Sequence, residues 1–355
     1  MTSIDSILDL ARWAPSGDNM QTWQFEVAGP DHVAVHCHDT RHDTVYDLDG
    51  HPSQMAFGAL LETMAIAASA HGLRADVTRR ALPASEEARP VFDVRFVADA
   101  AVRPSPLLDA VKVRSVQRRP MRTTPLTAAQ KQALAEAVGP GFTLRWLESF
   151  DQRLQAARLM YANARLRLTM PEAYEVHRRI IDWGKTHSED KVPDQALGVD
   201  NATLKMMKWA MVSWSRLAKM NTVMGTWAPR LQMDLLPGIA CSAHVTIDAA
   251  REPQGIDDYV AAGRALQRFW LTLTAQGYFM QPEMTPLIFT RYANNDMAFT
   301  SVDKLRADAR ALQQQTRELF FKGTGFPVFI GRVGAGPAPA ARSLRKPLAQ
   351  LMYRP

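Results

Sequence analysis

Residues 15–23 read P-S-G-D-N-M-Q-T-W, and they fall where an amphipathic helical pattern gives way to a loop. Upstream, Ser3 is placed to cap a helix whose apolar positions, Ile4, Ile7, Leu8, Ala11 and Ala14, follow the i, i+3, i+4, i+7 rhythm. Pro15 and Gly17 end it, because proline brings no amide hydrogen and glycine accepts turn conformations. The stretch carries a hydroxyl (Ser16), two carboxamides (Asn19, Gln21) and an indole (Trp23). It offers neutral hydrogen bonds and a flat face, and no acid, base or strong nucleophile is expected to act from it. Such a loop suits a planar ring with polar edges.

Downstream, strands are expected over residues 24–28 and 32–38, then a helix over 54–71 closed by Gly72. A strand over 92–97, a helix from Thr127 to just before Gly139 and a strand over 142–147 follow. Residues 150–235 read as helical, with breaks near Pro171, Pro193 and Pro229. Strands over 243–247 and 327–333 flank a helix over 257–276, and the tail from 334 is extended and rich in Pro, Ala and Arg. An internal echo runs through this order. Gly58 to Gly72 can be laid over Gly263 to Gly277, matching Leu61 to Leu266, Glu62 to Gln267 and Met64 to Phe269. Either two buried helices ending in glycine look alike by chance, or an α+β unit is duplicated. Two fused copies would mimic a homodimer within one chain.

The chain has 355 residues, 46% of them hydrophobic, which allows two domains or one fused pair with a large core. No charge-free apolar run reaches the roughly 18–20 residues that span a bilayer, and Asp5, Asp9 and Arg12 break any secretory pattern at the start. Cys37 and Cys241 are too few for a disulfide framework or a thiolate metal site, so a cytoplasmic home is the simplest expectation. The net charge of +6 is not gathered into a basic stripe interleaved with aromatics, so nucleic acid is not an expected partner. His36, Cys37, His38 and His42 lack metal-ligand spacing, and no metal is expected. There is no G-x-S-x-G elbow and no G-x-G-x-x-G after a strand, which argues against a serine hydrolase and a nicotinamide-binding Rossmann unit.

Several motifs converge. Pro15, Ser16, Asn19, Gln21 and Trp23 match P-S-x-x-N-x-Q-P-W, with Thr22 in place of the second proline. Arg114 and Arg118 match an R-x-[ST]-x-R helix start, with Val116 at the hydroxyl position and Ser115 one residue early. The helix A-G-R-A-L-Q-R-F-W-L (262–271) is followed by Gln276-Gly277 and Gln281-Pro282, and the ending P-A-P-A-A-R-S-L-R-K-P-L resembles P-x-P…R-R-P-L. On these residues the chain resembles the FMN-dependent nitroreductase family, and within it the fused two-half, Acg-like branch.

The resemblance implies an α+β fold: two nitroreductase-like halves forming a pseudo-dimer, with antiparallel or mixed central sheets flanked by helices. The halves would be 1–105 and 106–333, the second with an insertion at about 150–235, followed by a tail at 334–355. It implies FMN bound by Pro15, Ser16, Gly17, Asn19 and Gln21, by Arg114, Ser115 and Arg118, by Gly277, Tyr278 and Gln281, and by Arg342, Arg345 and Lys346. At a helix start, Arg114 and Arg118 would share a face and join free amide N–H groups in a phosphate site. The implied activity is ping-pong transfer from NAD(P)H, a transient reductant, through flavin N5 to a small acceptor such as a nitroaromatic, a quinone or another metabolite. The flavin carries the chemistry and no catalytic side chain is named. Flavin storage or sensing with little turnover, or a dedicated biosynthetic dehydrogenase, are the alternatives. In ordinary members the two motifs around one flavin come from different subunits. Here each occurs once, so one FMN per chain is expected across the junction, in a monomer or a homodimer.

The Met- and Trp-rich stretch 205–235 has open readings. It is a core helix pair, an adaptable lid whose Met207, Met211 and Trp214 would face substrate together with Trp23 of the first loop, or an amphipathic stretch that binds a membrane surface, its apolar face flanked by Lys205, Lys208, Arg216 and Lys219.

Overall fold

A computed structural model describes residues 2–81, 83–323 and 325–354. The outermost positions of the first and last expected units, 1 and 355, lie outside the described residues. Helix α1 (Ser3–Ala11) is capped by Thr2 rather than Ser3, because Asp5 three residues on completes a capping box: the Thr2 hydroxyl accepts from Asp5 N at 3.1 Å while the Asp5 carboxylate accepts from Thr2 N at 2.9 Å. Strands β1 (Trp23–Gly29) and β2 (His32–Cys37) form a hairpin, helix α2 (His51–Ser69) follows, and β3 (Leu73–Arg79) and β4 (Val91–Ala98) complete an antiparallel sheet of order β1-β2-β4-β3.

The short helix α3 (Leu108–Val113) leads into extended chain, then α4 (Ala128–Val138), capped by Thr127 and Gln130 as a second capping box, and β5 (Phe142–Leu147). Residues 150–235 contain α5 (Phe150–Thr169), α6 (Pro171–Ile180), α7 (Asn201–Ala210) and α8 (Trp214–Met224). This stretch is less continuous than its composition suggests. Pro171 opens α6, and Pro193 sits in a two-residue parallel pairing with Asp182. Pro229 lies in the first turn of a helical run and does not break it, since a first-turn proline gives up no helical hydrogen bond. Strand β6 (Ala243–Ala249), helix α9 (Ile256–Ala275) and strand β7 (Tyr278–Pro282) come next. Helices α10 (Thr285–Asn294) and α11 (Asp303–Phe320) precede β8 (Phe326–Ala335). The antiparallel order of the second sheet is β5-β6-β8-β7.

The two sheets therefore repeat one connectivity, with α2 and α9 in the same place. These helices are the buried centre, and they cross where the echoed glycines meet. A Cβ on Gly58 would lie 2.9 Å from Arg264 N, and one on Gly263 would lie 2.8 Å from Met55 Cα. Polar contacts alongside are reciprocal: Gln267 Nε2 donates to Thr63 Oγ1 at 2.9 Å, and Arg268 Nη1 lies 3.0 Å from Glu62 Oε2. Gly72 and Gly277 take φ of +65° and +79° just past the two helices, a region that favours glycine.

The tail returns to the first sheet, where Phe25 N donates to Leu351 O and Tyr353 N to Phe25 O, both at 2.8 Å. No described helix is long and apolar enough to cross a membrane.

Candidate functional site

A cavity of about 440 Å³ lies beside the helix crossing, within the roughly 300–1,000 Å³ range of small-molecule sites. Its walls come from distant parts of the chain. Pro15, Ser16, Gly17, Asp18 and Asn19 form one side, Met55, Ala56 and Ala59 of α2 and Leu266 and Trp270 of α9 the floor. Arg114, Val116, Arg118, Gln281 and the tail residues Ser343 and Arg345 close the other sides.

The 15–23 loop owes its shape to three non-glycine residues with positive φ: Asp18 (50°), Asn19 (63°) and Gln21 (51°). Such conformations cost of order 1–3 kcal/mol each and persist only where surroundings enforce them. Here hydrogen bonds do so. Gln21 N donates to Ser16 Oγ at 3.0 Å, Gln21 Nε2 to Asn19 O at 2.9 Å and Glu189 O at 2.8 Å, and Asn19 Nδ2 to Glu189 O and Lys191 O at 3.1 and 3.2 Å. Gln21 Oε1 accepts from Lys346 N at 2.9 Å. Gln21 thus stitches loop, insertion and tail together and does not line the cavity. Trp23 is buried in the first sheet's core, so it is no substrate contact.

Arg114 and Arg118 both line the cavity, but not from a helix start. Arg114 follows the C-terminus of α3, and the chain beyond it is extended, with Val116 bridged to Met280 and Gln117 N donating to Met280 O at 3.1 Å. Sheet pairing has overridden the helical reading, and no helix N-terminus contributes amide groups. In extended chain, an even spacing still leaves the two side chains on one side.

The charge balance is uneven. Arg114 is 4% exposed; its Nη2 donates to Trp13 O at 3.3 Å, and its guanidinium lies 4.4 Å above the Trp270 ring. Burial, then Arg345 and Arg342, push its pKa well below the arginine range. Arg345, whose Nε donates to Ala14 O at 2.8 Å, is lowered to about 9 by burial and by Arg342 and Arg12. Among the described residues, no carboxylate acts on either. Buried cations are ordinarily paired, so this end of the cavity is short of negative charge. Arg114 Nε, Asn19 Oδ1 and Gln281 Oε1 are buried and find no partner among the described residues.

The other end has carboxylates beside its cations. Arg118, lowered to about 10 by burial, is offset by Asp18, and Arg167 Nη2 holds both oxygens of Asp234 at 2.8 and 2.9 Å. Glu283 accepts from Arg332 Nη1 and pairs with His244 Nδ1, each at 2.7 Å. Burial works against the charge on His244, but Glu283 prevails and the pKa of His244 rises to about 10. Tyr46 Oη lies 2.9 Å from His177 Nε2, and burial drives His177 down to about 3, so the ring is neutral. Asp18 corrects the expectation that no acid acts from the loop, because it lines the cavity; burial raises its pKa to about 6, against the pull of Arg118 and Arg179.

Other expected residues lie elsewhere. Ser115 is buried off the cavity. Gly277 and Tyr278 are at the far end of β7, where Tyr278 joins the second sheet's core; Gln281 and Pro282, at the strand's other end, reach the cavity. Arg342 caps α3, its Nη2 donating to Lys112 O at 2.8 Å and Arg114 O at 3.3 Å. Lys346 contributes its amide to Gln21 and does not line the cavity. Met207 lines it, but Met211 receives the Tyr174 hydroxyl on its carbonyl and Trp214 packs on the Tyr174 ring. The sequence reading missed Asp18, Tyr46, Arg167, His177, Asp234, Trp270, Glu283 and Arg332. Asp18 inside the 15–23 loop, Trp270 inside the 262–271 motif and Glu283 directly after Gln281-Pro282 were the ones with a visible signal.

No protein-family model matches the sequence, and no curated protein matches it significantly. Among solved structures, a nitroreductase-like family protein from Bacillus cereus overlaps with a TM-score of 0.36 and 10% identity, covering 72% of this chain and 98% of its own. The FMN-dependent nitroreductase NfnB from Mycobacterium smegmatis, in complex with NADPH, overlaps with a TM-score of 0.36 and 13% identity over 69% and 96%. A likeness at this TM-score carries no argument about fold or function.

Proposed function

We propose that this chain is an FMN-dependent oxidoreductase of the nitroreductase-like, two-half kind, holding one flavin in the cavity between units 1–105 and 106–333. The observation that carries the reading is the pair of buried guanidiniums, Arg114 and Arg345, facing the same cavity as the 15–19 loop with no carboxylate partner among the described residues. A phosphate ester supplies the missing charge. The rest of the wall fits a planar ring: Ala56, Ala59 and Leu266 present low relief, and Asn19 and Gln281 offer unpaired carboxamide oxygens to its N–H edge. The repeated sheet connectivity and the reciprocal Gly58–Gly263 crossing support the fused-half reading. Where the second half would need its own loop, Arg268 donates to Ala137 O and Val138 O at 2.7 and 2.8 Å and closes the turn, which supports a single site.

When bound, FMN supplies a two-electron carrier between NAD(P)H and a small organic acceptor. Arg114 and Arg345 anchor it, the α2–α9 floor excludes water from beneath it, and Met207 and Met233 adapt to the acceptor. Asp18 holds a proton on its carboxyl near pH 6 at the cavity wall. A storage or sensing role is the second reading, because the loop is tied beneath residues 189–191 and the tail, a cover that favours retention over exchange. Anaerobic mixing with NADPH separates the two: bleaching of the flavin band within seconds supports turnover, and an unchanged band over many minutes supports storage. A purified protein that takes up no flavin on reconstitution would sink both.

A further inference from the structure

The helical insertion has an outer face that the cavity does not use. From Asn201 to Met233 the sequence contains no Asp or Glu, and carries Lys205, Lys208, Arg216, Lys219 and Arg230. The first four are exposed. Interleaved with them, Trp209, Val212, Val223, Met224 and Trp227 are exposed too, Val223 at 84% and Trp227 at 60%. Helix α8 buries none of its residues. Single exposed apolar side chains are ordinary, but this concentration on an acid-free segment marks an interaction surface.

The segment is anchored to the fold. Helix α7 buries its own Thr203, Leu204 and Ala210, Asn221 Nδ2 donates to Leu168 O at 2.9 Å, and Arg230 lies 3.7 Å over the Tyr161 ring. Its exposed side chains stand out from the α7–α8 segment as a ridge and line neither of the two cavities. A ridge of Trp, Val and Met flanked by lysines suits a fluid, negatively charged surface. Indoles settle at headgroup level, the aliphatic tips reach the acyl boundary, and lysine stems lie along the apolar surface with their ammonium groups among anionic headgroups.

We propose that the α7–α8 ridge docks the chain peripherally on an anionic lipid bilayer. The test is co-flotation of the purified full-length protein with phosphatidylcholine vesicles, with and without phosphatidylglycerol. The proposal expects at least about tenfold stronger partitioning to the anionic vesicles, most of it lost at high salt. Two surface variants, Trp209→Ser with Trp227→Ser, and Lys205→Glu with Lys208→Glu and Lys219→Glu, should each lose it while keeping the wild-type circular dichroism. Partitioning that ignores phosphatidylglycerol, or that survives in both folded variants, overturns the proposal. So does concentration-dependent self-association without vesicle binding, which would assign the ridge to a second copy of the chain.

Discussion

Replacing Arg114 with methionine should weaken FMN binding without weakening the fold. The guanidinium is 4% exposed, and its only hydrogen bond within the described residues runs to Trp13 O at 3.3 Å. A charge-assisted contact to a phosphate contributes about 1.5–3 kcal/mol, so its loss raises the FMN dissociation constant by about 10- to 150-fold. Ligand-induced stabilisation falls with it. At a flavin concentration 100 times the wild-type constant, wild type gains about 2.7 kcal/mol and the variant only about 0.3–1.4 kcal/mol. The flavin-free protein behaves differently. Methionine removes a stacking contact on Trp270 worth about 0.5–2 kcal/mol, but also relieves a buried cation repelled by Arg345 and Arg342. Arg114→Met without flavin should therefore melt at or above the wild-type temperature. Thermal melts of flavin-free protein with graded FMN measure both quantities. A variant that keeps wild-type affinity, within about twofold, and the full FMN-induced shift would refute the phosphate assignment.

Three other outcomes follow from the same geometry. Gly263→Ala drives a Cβ to 2.8 Å from Met55 Cα, and because the obstacle is backbone the helices must part; urea unfolding should show a loss of about 3 kcal/mol, and a loss below about 1 kcal/mol would contradict the crossing. His244, raised to about 10 from an ordinary 6.5, contributes stability that is complete below pH 6.5 and lost as pH climbs through 10. Urea melts across that window should show the decline, and Glu283→Gln should abolish it while destabilising the neutral protein by about 3–5 kcal/mol. Asp18 has its window lower: its carboxylate costs stability as pH rises from 3.8 through 6, so flavin-free Asp18→Asn should gain about 1–3 kcal/mol at pH 7 and nothing below pH 3.8. An equal change at both pH values would assign the effect to packing.

Elements whose information is local were legible in the sequence. Thr127 marked the start of α4, and the Gly58 and Gly263 segments marked the two central helices. Residues 114–118 were misread because their conformation is set by Met280, far along the chain, rather than by their own spacing. Gln21 was assigned to a ligand because a carboxamide's partners depend on what folds over it, here Glu189 O and Lys346 N. Arg167 with Asp234 and Arg332 with Glu283 went unseen for a similar reason: each pair joins residues from separate elements, and no periodicity brings them together.

The central claim is one phosphate-bearing flavin per chain, held where the 15–19 loop meets Arg114 and Arg345. Reconstituting the purified full-length protein with excess FMN, removing unbound flavin and comparing absorbance at the flavin band with protein concentration tests it directly. The account predicts a molar ratio of one, with riboflavin, which lacks the phosphate, failing to be retained. A ratio of two, or equal retention of riboflavin, would contradict it.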